Sequence, residues 1–154
     1  MNNSAKNPFE HHSTASHNQA FVIGHPVAHS LSPLIHAFWL KHYSLEGSYS
    51  AHDVLPARLE DFFAQLKSAR FIGGNITLPH KEQALKLCEI VSDEAKIIGA
   101  VNTIYLRNEK ICGANTDAYG FLANLDQNRP GWDKNLENAI VLGAGGGGAG
   151  ACFC

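Results

Sequence analysis

The sequence predicts an α/β fold: a three-layer domain in which a mixed, mostly parallel sheet lies between helices. Short apolar runs of strand length alternate along the chain with amphipathic segments of helical spacing. Glycine and proline separate these segments, as they do at turns between strands and helices. The last apolar run leads directly into a glycine-rich turn. This pattern indicates that the first strand and turn of an incomplete Rossmann domain follow the first domain.

The first strand and the first helix follow from the apolar pattern. Residues 21–23 form an apolar run that Gly24 ends. Ser32 is predicted to cap a helix, with Pro33 at the first helical position, and the helix should run to about residue 43. The apolar side chains of this helix recur at helical spacing: Leu34, Ile35, Phe38, Trp39 and Tyr43.

Two further strand and helix pairs are predicted. Residues 48–54 and 71–78 are the strand candidates, and Pro56 and Pro79 each precede a helix. The apolar side chains of the first of these helices fit the spacing i, i+3, i+4, i+7: Leu59, Phe62, Phe63 and Leu66. Ser92 is then predicted to cap a shorter helical segment.

A hairpin and one more helix complete the predicted first domain. Residues 103–106 and 110–114 are expected to pair across a tight polar turn at Asn108 and Glu109, although Asn-Glu is a weaker type I′ signal than Asn-Gly. Asp117 is predicted to cap the helix that follows, which ends before a Pro-Gly pair.

The glycine-rich turn follows an apolar run at residues 139–142. Gly143, Gly145 and Gly148 satisfy the GxGxxG spacing, which allows a tight turn and a close backbone approach to a pyrophosphate. No Lys-Ser or Lys-Thr follows, so the pattern is not a P-loop. Taken alone, it also fits a flexible glycine linker. Only six residues follow Gly148, and the segment that would select the ribose hydroxyl or the 2′-phosphate is absent.

Composition excludes several classes of protein. The chain has 154 residues, 45% of them hydrophobic, with a formal charge of −2, so neither a disordered protein nor a nucleic-acid partner is expected. No apolar run approaches a membrane span, and residues 1–19 form a polar tail, expected to be disordered, without the apolar core of a secretory signal. The four scattered cysteines predict reduced thiols in a cytoplasmic chain and no metal site.

Polar side chains gather at the ends of the predicted elements, where open α/β sheets bind ligands. They are Ser30, Ser32, Thr77, Lys81, Asn102 and Asp117. Two hydroxyls at a helix N-terminus can hold a carboxylate or a phosphate, and a lysine beside a threonine offers an ammonium and a hydroxyl. Taken singly, each residue also has a plainer interpretation: Ser32 and Asp117 as helix caps, and Lys81 as a solvated cation.

Five stretches, taken in order, resemble the motif series of the shikimate dehydrogenase family. They read GHPVAHSLSP from residue 24, GNITLPHK from 74, IGAVNT from 98, GANTDAYG from 113 and GAGG from 143. The resemblance covers residues 20 to about 148 and corresponds to roughly the first half of the usual family chain. It implies a substrate-binding domain at residues 20–116, followed at 117–154 by a linker helix and a truncated dinucleotide-binding domain.

The resemblance also implies roles for the polar side chains. Ser30 and Ser32 would bind the substrate carboxylate, and Thr77, Asn102 and Asp117 would hydrogen-bond the ring hydroxyls. Lys81 and Asp117 would be the catalytic residues. Lys81 would also bind the substrate and act as the acid while Asp117 orients it, so we expect these two side chains to be neighbours. The residues implied to bind NADP are Gly143, Ala144, Gly145, Gly146 and Gly147.

The implied activity is the NADPH-dependent reduction of 3-dehydroshikimate to shikimate in aromatic amino-acid biosynthesis. The partner would be this small molecule, without nucleic acid or membrane, and a homodimer of the full-length chain stays open, as does use of quinate. The sequence departs from the family pattern after Gly146. The alternative is therefore a truncated or frame-shifted, inactive chain with at most weak substrate binding. We expect no NADPH binding by residues 1–154 alone.

Overall fold

Strands and helices alternate along the described part of the chain. A computed structural model describes residues 18–69, 71–134, 137, 138 and 140. The strands are β1 (Gln19–Gly24), β2 (Ser48–Asp53), β3 (Phe71–Ile76), β4 (Ile90–Val91), β5 (Thr103–Arg107) and β6 (Lys110–Ala114). The α-helices are α1 (Ser32–His42), α2 (Leu59–Leu66), α3 (Lys81–Leu87), α4 (Asp93–Ile98) and α5 (Asp117–Asn128), and a 3-10 turn at Pro56–Arg58 precedes α2.

The strands form one six-stranded sheet in the order β2-β1-β3-β5-β6-β4. Strand β1 pairs in parallel with β2 and with β3, and β4 pairs in parallel with β6. Strand β5 is antiparallel to both β3 and β6. The predicted α/β class with a mixed, mostly parallel sheet is therefore confirmed.

Helices α1 and α2 lie on opposite faces of the sheet. Successive side chains of a strand alternate between its two faces, so Tyr49 and His52, three residues apart in β2, point to opposite faces of the sheet. The Tyr49 ring stacks on His36 of α1, with ring centroids 3.8 Å apart. His52 packs among aromatic rings that include Phe62 of α2. This arrangement gives the predicted three layers.

The core is centred on the middle strand of the parallel part of the sheet. Phe21 of β1 is fully buried and makes edge-to-face contacts with Phe62 and Phe71, at centroid distances of 5.2 and 4.9 Å. The four apolar side chains predicted to form one face of α2 are all buried. The periodicity therefore predicted both the helix and its buried face.

Two predicted helix starts are wrong by one residue. Helix α1 begins at Ser32 itself, with Leu31 at the N-cap position, and the Ser30 hydroxyl accepts a hydrogen bond of 3.3 Å from the Ser32 N–H. Helix α5 begins at Asp117 rather than after it. The Asn115 side-chain oxygen accepts from the Asp117 N–H at 2.9 Å, which leaves the aspartate carboxylate available elsewhere.

Two other local predictions are confirmed. The Ser92 hydroxyl caps α4 by accepting a hydrogen bond of 3.2 Å from the Ala95 N–H. Asn108 and Glu109 connect β5 and β6 with φ values of 51° and 61°, the two positive angles that a type I′ turn requires. The hairpin is thus closed by the turn that its sequence indicated.

Helix α1 is formed as predicted, but its apolar side chains are not buried. None of its residues is buried, and Leu34, Phe38 and Trp39 are 71%, 61% and 48% exposed. The helical spacing of the apolar residues predicted the helix. It did not predict that the apolar stripe of this helix is exposed in the part of the protein that the structure describes.

Several predictions fall mainly outside the described residues. The strand at 139–142 and the whole glycine-rich turn lie there, except for Ile140, which is exposed. Most of the tail lies there too, although β1 begins at Gln19, a residue that the sequence analysis placed in the tail. Within the described residues, no helix is long and apolar enough to cross a membrane. Cys88 and Cys112 are free thiols, and burial raises the pKa of Cys88 to about 11.

Candidate active site

The topology of the sheet brings the polar motifs to one edge. The carboxyl ends of the parallel strands β1 and β3 meet there, and both lead into motif residues. Because β5 runs antiparallel to β3, its first residue, Thr103, lies opposite Asn75 near the end of β3. Strand β6 returns to the same edge, where Ala114 pairs with Thr103. Motifs that are about 90 residues apart along the chain thus line one cavity.

That cavity has a volume of about 290 Å³. It is lined by Val22, Val27, His29, Ser30, Ser32, Asn75, Ile76, Thr77, Lys81, Asn102 and Asp117. All six residues that the sequence indicated as substrate-binding are among them. The volume is at the lower end of the range for small-molecule sites, so the cavity suits a compact polar ligand better than a dinucleotide.

Lys81 and Asp117 form the charged pair of this cavity. The Lys81 ammonium donates to an oxygen of the Asp117 carboxylate at 2.6 Å, and the two side chains are 15% and 38% exposed. The expectation that they are neighbours is confirmed. Lys81 begins α3 and Asp117 begins α5, so two separate helix starts converge on one ion pair.

Asn102 holds the other oxygen of the same carboxylate. Its side-chain amide group donates to Asp117 at 2.7 Å and to the Thr116 hydroxyl at 3.0 Å. Its side-chain oxygen accepts from the Thr103 hydroxyl at 2.8 Å and from the Thr116 N–H at 3.1 Å. Asn102 is buried, so these bonds fix its amide in one orientation.

The segment after β1 brings Ser30 and Ser32 to the cavity that the charged pair also lines. A Cβ atom on Gly24 would lie 2.5 Å from the Thr77 methyl group and 2.9 Å from the Leu78 carbonyl oxygen, so glycine is what permits this close crossing. The Thr77 N–H donates to the Ile23 carbonyl at 2.9 Å, which ties the two loops together.

Several residues at this site have no role that the sequence indicates. Asn75 and His29 line the cavity, and they fall inside the motifs that begin at residues 74 and 24. Tyr49 of β2 donates from its hydroxyl to the Asn75 side-chain oxygen at 2.7 Å. Burial raises the pKa of Tyr49 to about 12, and a side-chain hydrogen bond with Ser32 is a smaller, opposing effect. No local pattern in the sequence indicates these contacts.

A larger groove, of about 650 Å³, lies beneath the β5–β6 hairpin. Its lining includes Lys67 and Glu89, which are paired with each other at 3.0 Å. The Ile111 N–H and the Lys67 ammonium lower the pKa of the Glu89 carboxyl. The groove contains none of the motif residues, and within the described residues no group of three potential metal ligands is found. The smaller cavity is therefore the candidate site.

The fold is an α/β domain with a mixed sheet, and a charged pair, hydroxyls and amides surround one small cavity that suits a small polar ligand. Residues 22–104 match the family model of the shikimate dehydrogenase substrate binding domain. The chain belongs to this family.

Known relatives agree with that assignment. The chain is 54% identical over 134 residues to a shikimate dehydrogenase (NADP(+)) of Brucella abortus, covering 87% of this chain and 46% of the relative. It is also similar to the solved structure of a shikimate 5-dehydrogenase of Thermus thermophilus in complex with shikimate, at 47% identity and a TM-score of 0.79. That match covers 88% of this chain and 51% of the other. The chain thus spans about half the length of these relatives.

Proposed function

We propose that this chain is the substrate-binding half of an NADP-dependent shikimate dehydrogenase and that its cavity holds 3-dehydroshikimate or shikimate. The observation that carries the proposal is the Lys81–Asp117 pair, which lies in the same 290 Å³ cavity as Ser30 and Ser32. The Thermus thermophilus relative described as a complex with shikimate supports the choice of ligand.

The cavity offers two kinds of contact to such a ligand. Ser30 and Ser32 would donate hydrogen bonds to the carboxylate, because hydroxyls at a helix start can point at an anion together with free backbone N–H groups. The ring hydroxyls would bond to Thr77, Asn102 and Asp117, which combine donors with carboxylate and amide acceptors.

Lys81 would supply the proton in the reduction. Hydride addition to the ketone carbon creates an alkoxide, and the ammonium of Lys81 would transfer one proton to that oxygen. Before the transfer, the ammonium polarises the carbonyl group, and Asp117 holds it in place through the 2.6 Å bond. General acid catalysis of this kind typically contributes about 10²–10⁴-fold.

The cofactor is proposed from the glycine-rich turn. Gly143, Ala144, Gly145, Gly146 and Gly147 would hold the NADP pyrophosphate, and they lie outside the described residues. A second solved complex from Thermus thermophilus, with NADP(H) and shikimate, is similar to this chain at 45% identity and a TM-score of 0.77, covering 88% of this chain and 50% of the other. When bound, the cofactor supplies the hydride.

The sequence would divide into three parts. Residues 1–19 would form a tail, 20–116 the substrate-binding domain, and 117–154 the linker helix and the start of the cofactor domain. The full-length protein would act in the cytoplasm, in aromatic amino-acid biosynthesis. Its partner would be a small molecule rather than nucleic acid or a membrane, and a homodimer stays open. The low net charge of −2 supports the absence of a polyanionic partner.

A titration of the 154-residue chain tests the proposed ligand. Backbone amide NMR shifts should saturate with shikimate at millimolar concentration, and the shifted residues should be those that line the cavity. Cyclohexene carboxylate, which lacks the ring hydroxyls, should bind more weakly because Thr77, Asn102 and Asp117 would lose their partners.

Replacing two hydroxyls provides the matched variant. Ser30→Ala together with Ser32→Ala should weaken shikimate binding by about a hundredfold or more, since hydrogen bonds to a charged group contribute about 1.5 kcal/mol or more each. Ser68 is exposed and lies outside the cavity, so Ser68→Ala should leave the affinity for shikimate unchanged. Binding that does not saturate, or shifts that map away from the cavity, would overturn the assignment.

A further inference from the structure

A chain of hydrogen bonds crosses the sheet from β2 to the charged pair. The Tyr49 hydroxyl donates to the Asn75 side-chain oxygen at 2.7 Å, and the Asn75 amide group donates to the Thr103 hydroxyl at 3.3 Å. The Thr103 hydroxyl donates to the Asn102 side-chain oxygen at 2.8 Å, and the Asn102 amide group donates to Asp117 at 2.7 Å. Every donor in this chain therefore points toward the carboxylate.

Two backbone groups fix the direction of the chain. The Asn102 carbonyl oxygen can only accept, so the Asn75 group that lies 3.4 Å from it must be the NH₂ group. The Thr116 N–H can only donate, so the Asn102 atom 3.1 Å from it must be the side-chain oxygen. Each amide is thereby held in one of its two orientations. The Thr103 hydroxyl oxygen accepts a hydrogen bond from the Asn75 NH₂ group, so the hydroxyl proton points to the Asn102 side-chain oxygen.

We propose that Tyr49, Asn75 and Thr103 are positioning residues for the Lys81–Asp117 pair. They hold the Asn102 amide group against one oxygen of the Asp117 carboxylate, which leaves the other oxygen to orient the Lys81 ammonium in the cavity. The catalytic meaning of this inference rests on the proposed function. The series of hydrogen bonds itself rests only on the geometry of the described residues.

Tyr49, at the far end of this series of hydrogen bonds, is held by contacts with α1. The Tyr49 ring stacks on His36 with an interplanar angle of 9°, and a ring nitrogen of His36 lies 2.8 Å from the Ser32 carbonyl oxygen. Burial raises the pKa of Tyr49 to about 12, so its hydroxyl keeps its proton at neutral pH. Tyr49 therefore remains a donor to Asn75.

The alternative orientation of Asn102 explains why positioning is needed. A flipped amide would turn its oxygen toward the Asp117 carboxylate and its NH₂ group toward the Thr116 N–H, so that acceptor would face acceptor and donor would face donor. Aligned chains of hydrogen bonds also strengthen one another in a site of low dielectric constant. Removing one link should therefore loosen the last bond, which orients the carboxylate.

Thr103→Val is the direct test because it removes the central hydroxyl and keeps the β-branched shape that suits β5. We expect the Asn102 side-chain amide signals of the 154-residue chain to shift and broaden in NMR spectra, and shikimate to bind about tenfold more weakly. Thr103→Ser should restore both properties. Tyr105→Phe removes a hydroxyl from the same strand outside the cavity, and it should change neither.

The outcomes separate positioning from general damage. Backbone amide dispersion reports whether Thr103→Val is folded, and Tyr49→Phe provides a second variant in which the Asn102 side-chain amide signals should also shift. If the valine variant leaves the Asn102 amide signals as they are in the serine variant, or changes them without weakening binding, the positioning role is wrong. If the unmodified protein binds no shikimate, the proposed function fails. The Asn102 amide signals still decide whether the series of hydrogen bonds orients Asn102.

Discussion

The Lys81–Asp117 pair should contribute measurably to folding as well as to the site. Lys81 Nζ and Asp117 Oδ2 are 2.6 Å apart, and the two side chains are 15% and 38% exposed. The burial of this pair is therefore intermediate between that of a surface ion pair and that of a buried one. Surface pairs contribute about 0–1 kcal/mol, and breaking a buried pair costs about 3–5 kcal/mol. Asp117 keeps its bond to Asn102 and some contact with water when Lys81 is removed. We therefore expect Lys81→Met to lower the free energy of unfolding by about 1–2 kcal/mol.

A double-mutant cycle isolates the interaction. Lys81→Met, Asp117→Asn and the double variant are unfolded with urea at pH 7 and followed by circular dichroism, and the coupling energy should be about 1 kcal/mol. The exposed Arg58–Asp61 pair, at 3.0 Å with both side chains 56% exposed, is the matched control and should show roughly 0–0.5 kcal/mol. A coupling for Lys81 and Asp117 no larger than the control would refute the view that burial strengthens this pair.

Two further predictions concern the loops that frame the cavity. Gly24→Ala should destabilise the chain by about 1–3 kcal/mol, because its Cβ atom would lie 2.5 Å from the Thr77 methyl group. In thermal unfolding, adding Thr77→Ser should recover part of that loss, because it removes the methyl group. No recovery would contradict this contact. Burial lowers the pKa of His80 below 6.5, so the unfolded chain binds more protons and stability should fall as the pH drops below 6.5 through the folded pKa. In urea unfolding between pH 7 and 5, His80→Gln should show a shallower fall than the exposed His42→Gln, and equal slopes would count against His80.

Local features of the fold could be predicted because their causes are local. The apolar spacing of α2 places four side chains on one face, and a helix with that face has a single favourable way to bury it. Ser92 caps α4 through a bond to a residue three positions away. Asn108 and Glu109 set the turn of the hairpin through their own φ angles. The family was likewise indicated by short motifs, which can be read in order along the sequence.

Predictions failed where the outcome depended on distant partners. Ser32 and Asp117 were expected to cap helices, but each is the first residue of its helix. A serine or aspartate before a helical pattern fits either position, and the choice depends on what else its side chain can bond. Asp117 is engaged by Lys81 and Asn102, which are 36 and 15 residues away. The exposure of the apolar stripe of α1 is a similar case, since spacing along a helix does not specify what packs against it.

The sequence by itself determined the alternation of strands and helices, the chemical identity of the polar motifs and the expectation that Lys81 meets Asp117. Only the tertiary structure decided how these groups are oriented. The antiparallel entry of β5 and the return of β6 place Asn102 and Asp117 at the edge where β1 and β3 end. The bond from Tyr49 to Asn75 depends on the registers of β1 with β2 and β3. Hydrogen bonds require atoms to meet within about 3 Å, and no property of a residue or its chain neighbours specifies that distance before the strands pair.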